Sequence, residues 1–322
     1  MTEFSLDFPY AYSGPSAEAD LRRTNSDFMV FEDLGFELAG EGEHVFLHVQ
    51  KDGDNTEWLA RQIAKLAGVE SRDVGYCGQK DRHAITRQWF SVYLPKGDDP
   101  DWASLSSDSV HVIETVRHRQ KLRRGQHRAN QFVLWLRDVT GDRVALEYIL
   151  TQIAKQGVPN YFGEQRFGID AGNLHAAERM LVAGSTIKNR SKKAMVLSAA
   201  RSWLFNQVLA ARVENGSWFQ VLEGEITEGE LPTGPLWGRG RLASSDEVLA
   251  LESDILNPWQ HWCEPLEFTG LKQDRRALVS RVSQLDWQWQ ADDLRLQFEL
   301  PVGAYATAVV RELARVRTVL SE

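Results

Sequence analysis

The chain has 322 residues, 43% of them hydrophobic and 25% charged, with a formal net charge of -8, the composition of a globular protein with one large or two modest cores. It shows no apolar run near the length of a membrane span and no charged-then-apolar leader, which points to the cytoplasm and away from export or insertion. Cys77 and Cys263 are the only cysteines and lack metal-type spacing, so neither a disulfide framework nor a structural zinc site is expected.

Phe28 to Phe31 reads as a strand, and so does His44 to Val49, where Val45, Leu47 and Val49 share one face at period two. Asp52 to Asn55 makes a turn, after which Leu59, Ile63 and Leu66 recur at helical spacing until Gly68. Val74 to Cys77 and Ile85 to Leu94 are strands bracketing a polar loop, and Phe132 to Leu136 is a further buried one. Leu146, Ile149, Leu150 and Ile153 mark a helix capped by Asp142 and stopped by Gly157 and Pro159. After a break near Gly157 helices dominate: Leu174 to Val182 behind Asn173, then Lys192 to Glu214 behind Ser191. Gly224 to Gly240 reads as loop, and Leu285–Trp289 with Leu294–Leu300 as a hairpin turning at Ala291 to Asp293. A last helix is expected to carry Val309, Leu313, Val316 and Leu320 on one face.

The acidic total conceals a grouped positive charge. From Thr115 to Arg137 there is no Asp or Glu in 23 residues, while Arg117, Arg119, Lys121, Arg123, Arg124, Arg128 and Arg137 accumulate. Short charge runs are usually solvated faces, but a run this long in an acidic protein reads as a phosphate-binding strip. Lys188, Arg190, Lys192 and Lys193 form a second, shorter cluster, and Arg201 and Arg212, on nearly one face of the helix that follows, either extend the positive surface or lie on a solvated face, the solvated face being the first reading for Arg212.

The loop Gly75 to Ala84 (GYCGQKDRHA) delivers one carboxylate, Asp81, between Lys80 and Arg82. A carboxylate so placed can serve as a nucleophile, and Gly75 and Gly78 let backbone pass close to a neighbour. Taken alone, the segment is as well described as a turn with solvated charges. Cys77 reads as a small packing residue. Other motifs fail on spacing: the phosphate-loop pattern is absent after Gly75, His44 and His48 lack the Glu of a zinc protease, and Asp52 and Asp54 lack the Gly and distal Glu of a calcium loop.

Five further segments follow that loop in a fixed order: Thr86–Val92 (TRQWFSV), Arg124 and Gly125 with Asn130–Phe132, Asn160–Gly168 (NYFGEQRFG), Ala199–Asn206 (AARSWLFN) and Leu300–Thr307 (LPVGAYAT). With these the chain resembles, over nearly its whole length, the tRNA pseudouridine synthase D family, TruD. The resemblance implies an α+β fold: a pseudouridine-synthase-like catalytic domain on a mixed, mostly antiparallel sheet, formed by residues 1–156 plus 303–322, interrupted by a family-specific α/β insertion domain at 157–302. It implies an isomerase that converts uridine to pseudouridine in tRNA, at position 13, with neither cofactor nor metal, acting as a cytoplasmic monomer. A noncatalytic RNA-binding protein or RNA chaperone is the alternative that uses the same basic strip.

By resemblance Asp81 is the catalytic aspartate, Asn130 and Phe132 belong to the motif around a flipped-out uridine, and Phe28 and Tyr305 fall where substrate contacts are made. The family more often carries Phe at the place of Tyr305. Arg119, Lys121, Arg123 and Arg124 are the candidate RNA contacts, and Arg22, Arg23, Lys80, Arg82 and Arg166 the candidate basic partners of Asp81. Periodicity offers a competing description of Phe28 and Phe132 as core residues. An Asn two positions before Phe132 lies on the same strand face.

Overall fold

Alternating apolar segments in the first half of the chain pair into a single sheet. In the structure, a computed structural model that describes residues 3–96 and 98–318, strands β1 (Ala17–Leu21), β2 (Phe28–Asp33), β3 (His44–Asp52), β4 (Val74–Tyr76), β5 (Ile85–Tyr93), β6 (Val110–His118) and β7 (Ala129–Gly141) follow in order. Helix α1 (Thr56–Ala67) stands between β3 and β4. The Asn55 side chain accepts the Glu57 and Trp58 N–H groups at its start, and Gly68 ends it in the left-handed region at φ 66°. Val45, Leu47 and Val49 pack with Leu59, Ile63, Phe90 and Val92. Phe46 is buried on the opposite side with Cys77, Trp89 and Leu122, so β3 is covered on both faces.

The helical stretch comprises α2 (Arg143–Gln156), β8 (Val158–Pro159), α3 (Gly172–Leu181), α4 (Arg190–Glu214), β9 (Thr227–Glu228), β10 (Leu231–Leu236), α5 (Asp246–Leu256), α6 (Gln260–Glu267), β11 (Asp274–Ala277) and β12 (Val279–Ser280). Asp142 accepts the Ala145 N–H and so caps α2 as expected. The other two caps shift: Asn189 rather than Ser191 caps α4, and Asn173 lies inside α3, its amide donating to the Arg166 carbonyl. Gly224 to Gly240 is not all loop. It contains β9 and β10, which form a three-stranded sheet with β11.

The chain then returns as β13 (Ser283–Gln290), β14 (Asp293–Pro301), α7 (Ala306–Leu313) and β15 (Ala314–Thr318). The large sheet has ten strands, ordered β13-β14-β7-β2-β5-β3-β6, with β1 between β7 and β15 and β4 on β5. The pairs β1–β15 and β2–β5 are parallel and the rest antiparallel. The expected last helix stops at Leu313, because Ala314–Thr318 pairs with β1 and places Val316 in a strand. Leu320 lies outside the described residues.

Packing divides the chain into two units. The sheet unit holds Ser16–Ala145, Val282–Ala304 and the segment from Ala314 onward; the helical unit holds the segment up to Pro15, Leu146–Arg281 and Tyr305–Leu313. These borders differ from the expected 1–156 plus 303–322 against 157–302. The hairpin β13–β14 joins the sheet, because Leu294, Leu296, Phe298 and Leu300 are buried and β14 pairs residue by residue with β7. Tyr305–Leu313 goes with the helical unit, where Glu312 accepts the Ala11 and Tyr12 N–H groups at 2.9 and 3.3 Å.

Of the two glycines singled out in the Asp81 loop, only Gly75 is crowded. A β-carbon there would stand 2.2 Å from the Leu122 carbonyl and 2.7 Å from the Ser91 hydroxyl, whereas Gly78 has nothing within 4 Å. Gly75→Ala therefore forces two backbone segments apart and should cost about 1–3 kcal/mol of folding free energy, while Gly78→Ala stays within about 0.5 kcal/mol. Denaturant melts of both variants check the contrast.

Candidate functional site

Register places a polar set on one face of the sheet. Val30 pairs with Phe132 on β7 and with Thr86 on β5, and Thr86 pairs with Lys51 on β3. Residues two apart share a face, so Phe28, Glu32, Asn130, Phe132, Gln88 and Lys51 all belong to that face. The Asp81 loop lies against it. Gln88 donates to the Gly78 carbonyl at 3.2 Å, the Lys80 N–H donates to the Thr56 hydroxyl at 3.1 Å, and the Lys80 ammonium meets the buried Glu32 carboxylate at 2.6 Å. Lys51 donates to the Asp81 carbonyl at 3.0 Å, and Arg82 to the Gly53 carbonyl at 3.2 Å.

The Asp81 side chain is 43% exposed. Of the five candidate partners, Arg22 is the one that reaches it, donating from Nη2 to Oδ2 at 2.7 Å. Arg23 is engaged by Asp20 and Asp138 instead. Arg22 follows directly on β1 with φ at 62°, a left-handed conformation that costs a residue with a side chain roughly 1 kcal/mol or more. Its guanidinium lies 4.0 Å from the centre of the Phe28 ring, a cation–π contact that fixes its direction. Phe28 itself is buried.

Asn130 and Phe132 share a face, as their spacing requires. The Asn130 amide nitrogen stands 3.0 Å from Nε2 of His127, and its Oδ1 is buried with no hydrogen-bond partner among the described residues. Burial, and next the Lys80 charge, hold His127 below the ordinary histidine range. Glu32, Cys77 and His127 place their ligand atoms within 4.8 Å of one another. The Glu32 carboxylate is already matched by Lys80 at 2.6 Å and the Trp89 N–H at 3.0 Å, and burial pushes the Cys77 thiol up to about 12, which suits Cys77 to packing.

The acid-free run of the sequence is not acid-free in space. Arg117 pairs with Asp99, Arg119 with Glu41, Arg128 with Asp33, and Arg137 with Asp27 and Asp293. Lys121 donates to the Arg72 carbonyl, and Arg124 lies 6.0 Å from the Tyr76 ring centre. Among the described residues Lys121, Arg123 and Arg124 have no carboxylate in ion-pair range, so the expected strip shrinks to the loop after β6. Arg212, expected on a solvated or RNA-facing surface, is buried and pairs with Glu225 at 2.9 Å. Arg201 donates to the Leu236 and Lys272 carbonyls.

Tyr305 and Arg166 belong to the helical unit. The Tyr305 hydroxyl accepts from Arg166 at 3.2 Å, and Arg166 also donates to Ser198 at 3.4 Å. Arg276 stacks on Phe162 at 4.3 Å and donates to Asn160 at 2.5 Å, so this motif has a structural job of its own. Sequence reasoning missed Glu32, Lys51 and His127. A signal existed for Lys51, because Val45, Leu47 and Val49 carry the inward alternation straight to it.

Comparison with known proteins identifies the family. The family model tRNA pseudouridine synthase D (TruD) matches residues 7–189 and 226–313. The tRNA pseudouridine synthase D of Cellvibrio japonicus is 50% identical over 316 residues, covering 97% of this chain and 94% of that protein. That of Aeromonas hydrophila is 45% identical, covering 94% and 93%. A TruD crystal structure from Methanosarcina mazei superposes with a TM-score of 0.69 at 18% identity, over 94% of this chain and 95% of that one, a likeness of fold. The chain belongs to the TruD family.

Phe132 is 7% exposed, stacked on Phe298 at 5.5 Å and met at 6.2 Å by the Phe28 ring in an edge arrangement. Removing it opens a cavity between two rings. Phe132→Ala should lower folding free energy by about 3–5 kcal/mol, read from denaturant melts; a loss under about 1 kcal/mol would show that the ring is not part of this core.

Proposed function

We propose that this chain, a tRNA pseudouridine synthase by family and so an isomerase, converts uridine to pseudouridine at position 13 of tRNA, with Asp81 as the nucleophile or base. The reaction cleaves the bond from the ribose to N1 and rejoins the ribose to C5 of the same base. Atoms balance within the nucleotide, and no electrons are exchanged with a partner. A held carboxylate and a gripped, unstacked uracil are what it requires.

The observation that carries this reading is the Asp81 carboxylate itself, half-exposed and aimed by Arg22 while the backbone beneath it is tied to the sheet face. Arg22 holds the carboxylate in one orientation, which a reacting group needs because small misplacements are costly. Asn130 offers an amide oxygen, without a partner among the described residues, for a donor on the base. Phe132, largely covered, backs the site with Phe28 and contributes the wall on which the uracil rests.

Tyr305 contacts RNA from the helical unit, which takes the part of the insertion domain, while the sheet unit takes that of the catalytic domain. Arg119, Lys121, Arg123 and Arg124 meet tRNA phosphates, with Lys121, Arg123 and Arg124 contributing most because Glu41 competes for Arg119. No helix among the described residues is long and apolar enough to cross a membrane. A cytoplasmic monomer is the working assembly. Asp81→Asn keeps the side-chain shape but is neither nucleophile nor base, so pseudouridine formation should vanish while tRNA affinity stays within a few-fold. Single-turnover assays beside filter binding measure both, and turnover near wild type would remove Asp81 from the mechanism.

A further inference from the structure

We propose that Lys51 is a positioning residue for Asp81, a buried ammonium that holds the loop in its reactive geometry; the proposal rests on the reading of Asp81 given above. Lys51 ends the inward row Val45, Leu47 and Val49 and is 0% exposed. Its Nζ donates to two main-chain carbonyls, that of Asp54 at 2.7 Å and that of Asp81 at 3.0 Å. It thereby ties the turn after β3 to the reactive residue itself. Neither bond is needed to complete the sheet: the ladder of β3 with β5 continues past it to Asp52.

A backbone N–H could hold a carbonyl without the cost of burying an ammonium. What the ammonium adds is charge-assisted bonding, roughly twice as strong as neutral bonding. The charged groups that face it are Asp52 and Asp54 on its own turn, and Asp81 and Lys80 on the loop. Of these, Asp52 also accepts from Asn25, Asp54 from Ser109, and Lys80 is matched by Glu32. Burial lowers the Lys51 ammonium to about 8, with the three carboxylates opposing the fall and Lys80 assisting it.

The clamp therefore weakens within an accessible pH range. Between about pH 8 and the ordinary lysine value of roughly 10.4 the unfolded chain binds more protons at this residue than the folded one. Lys51 thus makes the folded state more stable, relative to the unfolded one, as pH rises through that window. A rate that falls there is loosening of the loop and not unfolding caused by this group.

The test measures single-turnover pseudouridine formation in tRNA from pH 6.5 to 9.5 for wild type, Lys51→Met and Lys51→Gln, with tRNA affinity, denaturant midpoints and amide hydrogen exchange at each pH. Wild type is expected to lose at least fivefold in rate with a midpoint near pH 8, while affinity changes less than twofold. Both variants should be at least tenfold slower at pH 7 and lack that limb; ionisation of the uracil itself would move all three alike. At equal pH the amides of residues 78–84 should exchange faster in the variants, with β3 and β5 unchanged. A variant with wild-type rate and limb, or a wild type with no limb, overturns the proposal. If neither variant folds, the wild-type rate and exchange profiles decide alone. If wild type forms no pseudouridine at any pH, the functional reading fails, and unchanged exchange at residues 78–84 separately overturns the positioning role.

Discussion

A solvent-facing carboxylate on a loop keeps one geometry only if the chain beneath it is tied down, and here the tie is made from both sides of a single residue. Arg22 holds the Asp81 side chain at 2.7 Å and the buried Lys51 holds its carbonyl at 3.0 Å. The rest of the sheet unit supplies these two cations in the right places. β3 carries Lys51 inward at the end of an apolar row, β1 ends in the left-handed turn that aims Arg22, and β2 places Phe28 beneath the guanidinium. Gly75 lets β4 approach the Leu122 carbonyl closely enough for the loop to start where it does.

Charge is distributed by the same logic of pairing. Glu32 and Lys80 neutralise each other under the loop, so the face below Asp81 is polar but matched. Most arginines between Thr115 and Arg137 are matched as well, by acids drawn from β1–β2, the loops around Glu41 and Asp99, and β14. Surface pairs of this kind contribute only about 0–1 kcal/mol each, so a polyanion can displace them. Lys121, Arg123 and Arg124, which have no carboxylate in ion-pair range among the described residues, need no such exchange and mark where phosphate contact costs least.

Strands and helices with strict periodicity were legible: β3, α1, β5, α2, α4 and the β13–β14 hairpin lie where alternation or helical spacing puts them. The hairpin's partner was not, because period two states that Leu294 to Leu300 need an apolar face but not which one; pairing with β7 moves the hairpin into the sheet unit. The last helix was read too long because Val316 continues by chance the helical spacing that Val309 and Leu313 carry in α7, while the pairing of Ala314–Thr318 with β1 is a contact about 300 residues away in sequence. At the site, Asp81 stood out by its motif and alternation along β3 pointed Lys51 inward, but Glu32 with Lys80, His127 with Cys77 and Lys51 with Asp81 are brought together from segments distant in sequence, which local pattern does not encode. The basic run was only part of the picture for the same reason: a linear stretch without acids says nothing of the acids that folding brings beside it.

Family membership and the geometry around Asp81 converge on one reaction, and the direct test is to locate its product. Unmodified tRNA transcript incubated with the protein, then mapped for pseudouridine at single-base resolution, is predicted to show one new pseudouridine, at position 13. Pseudouridine confined to another position would contradict the assigned target, and its complete absence from a protein that binds the tRNA would contradict the account of the Asp81 site as a catalytic centre.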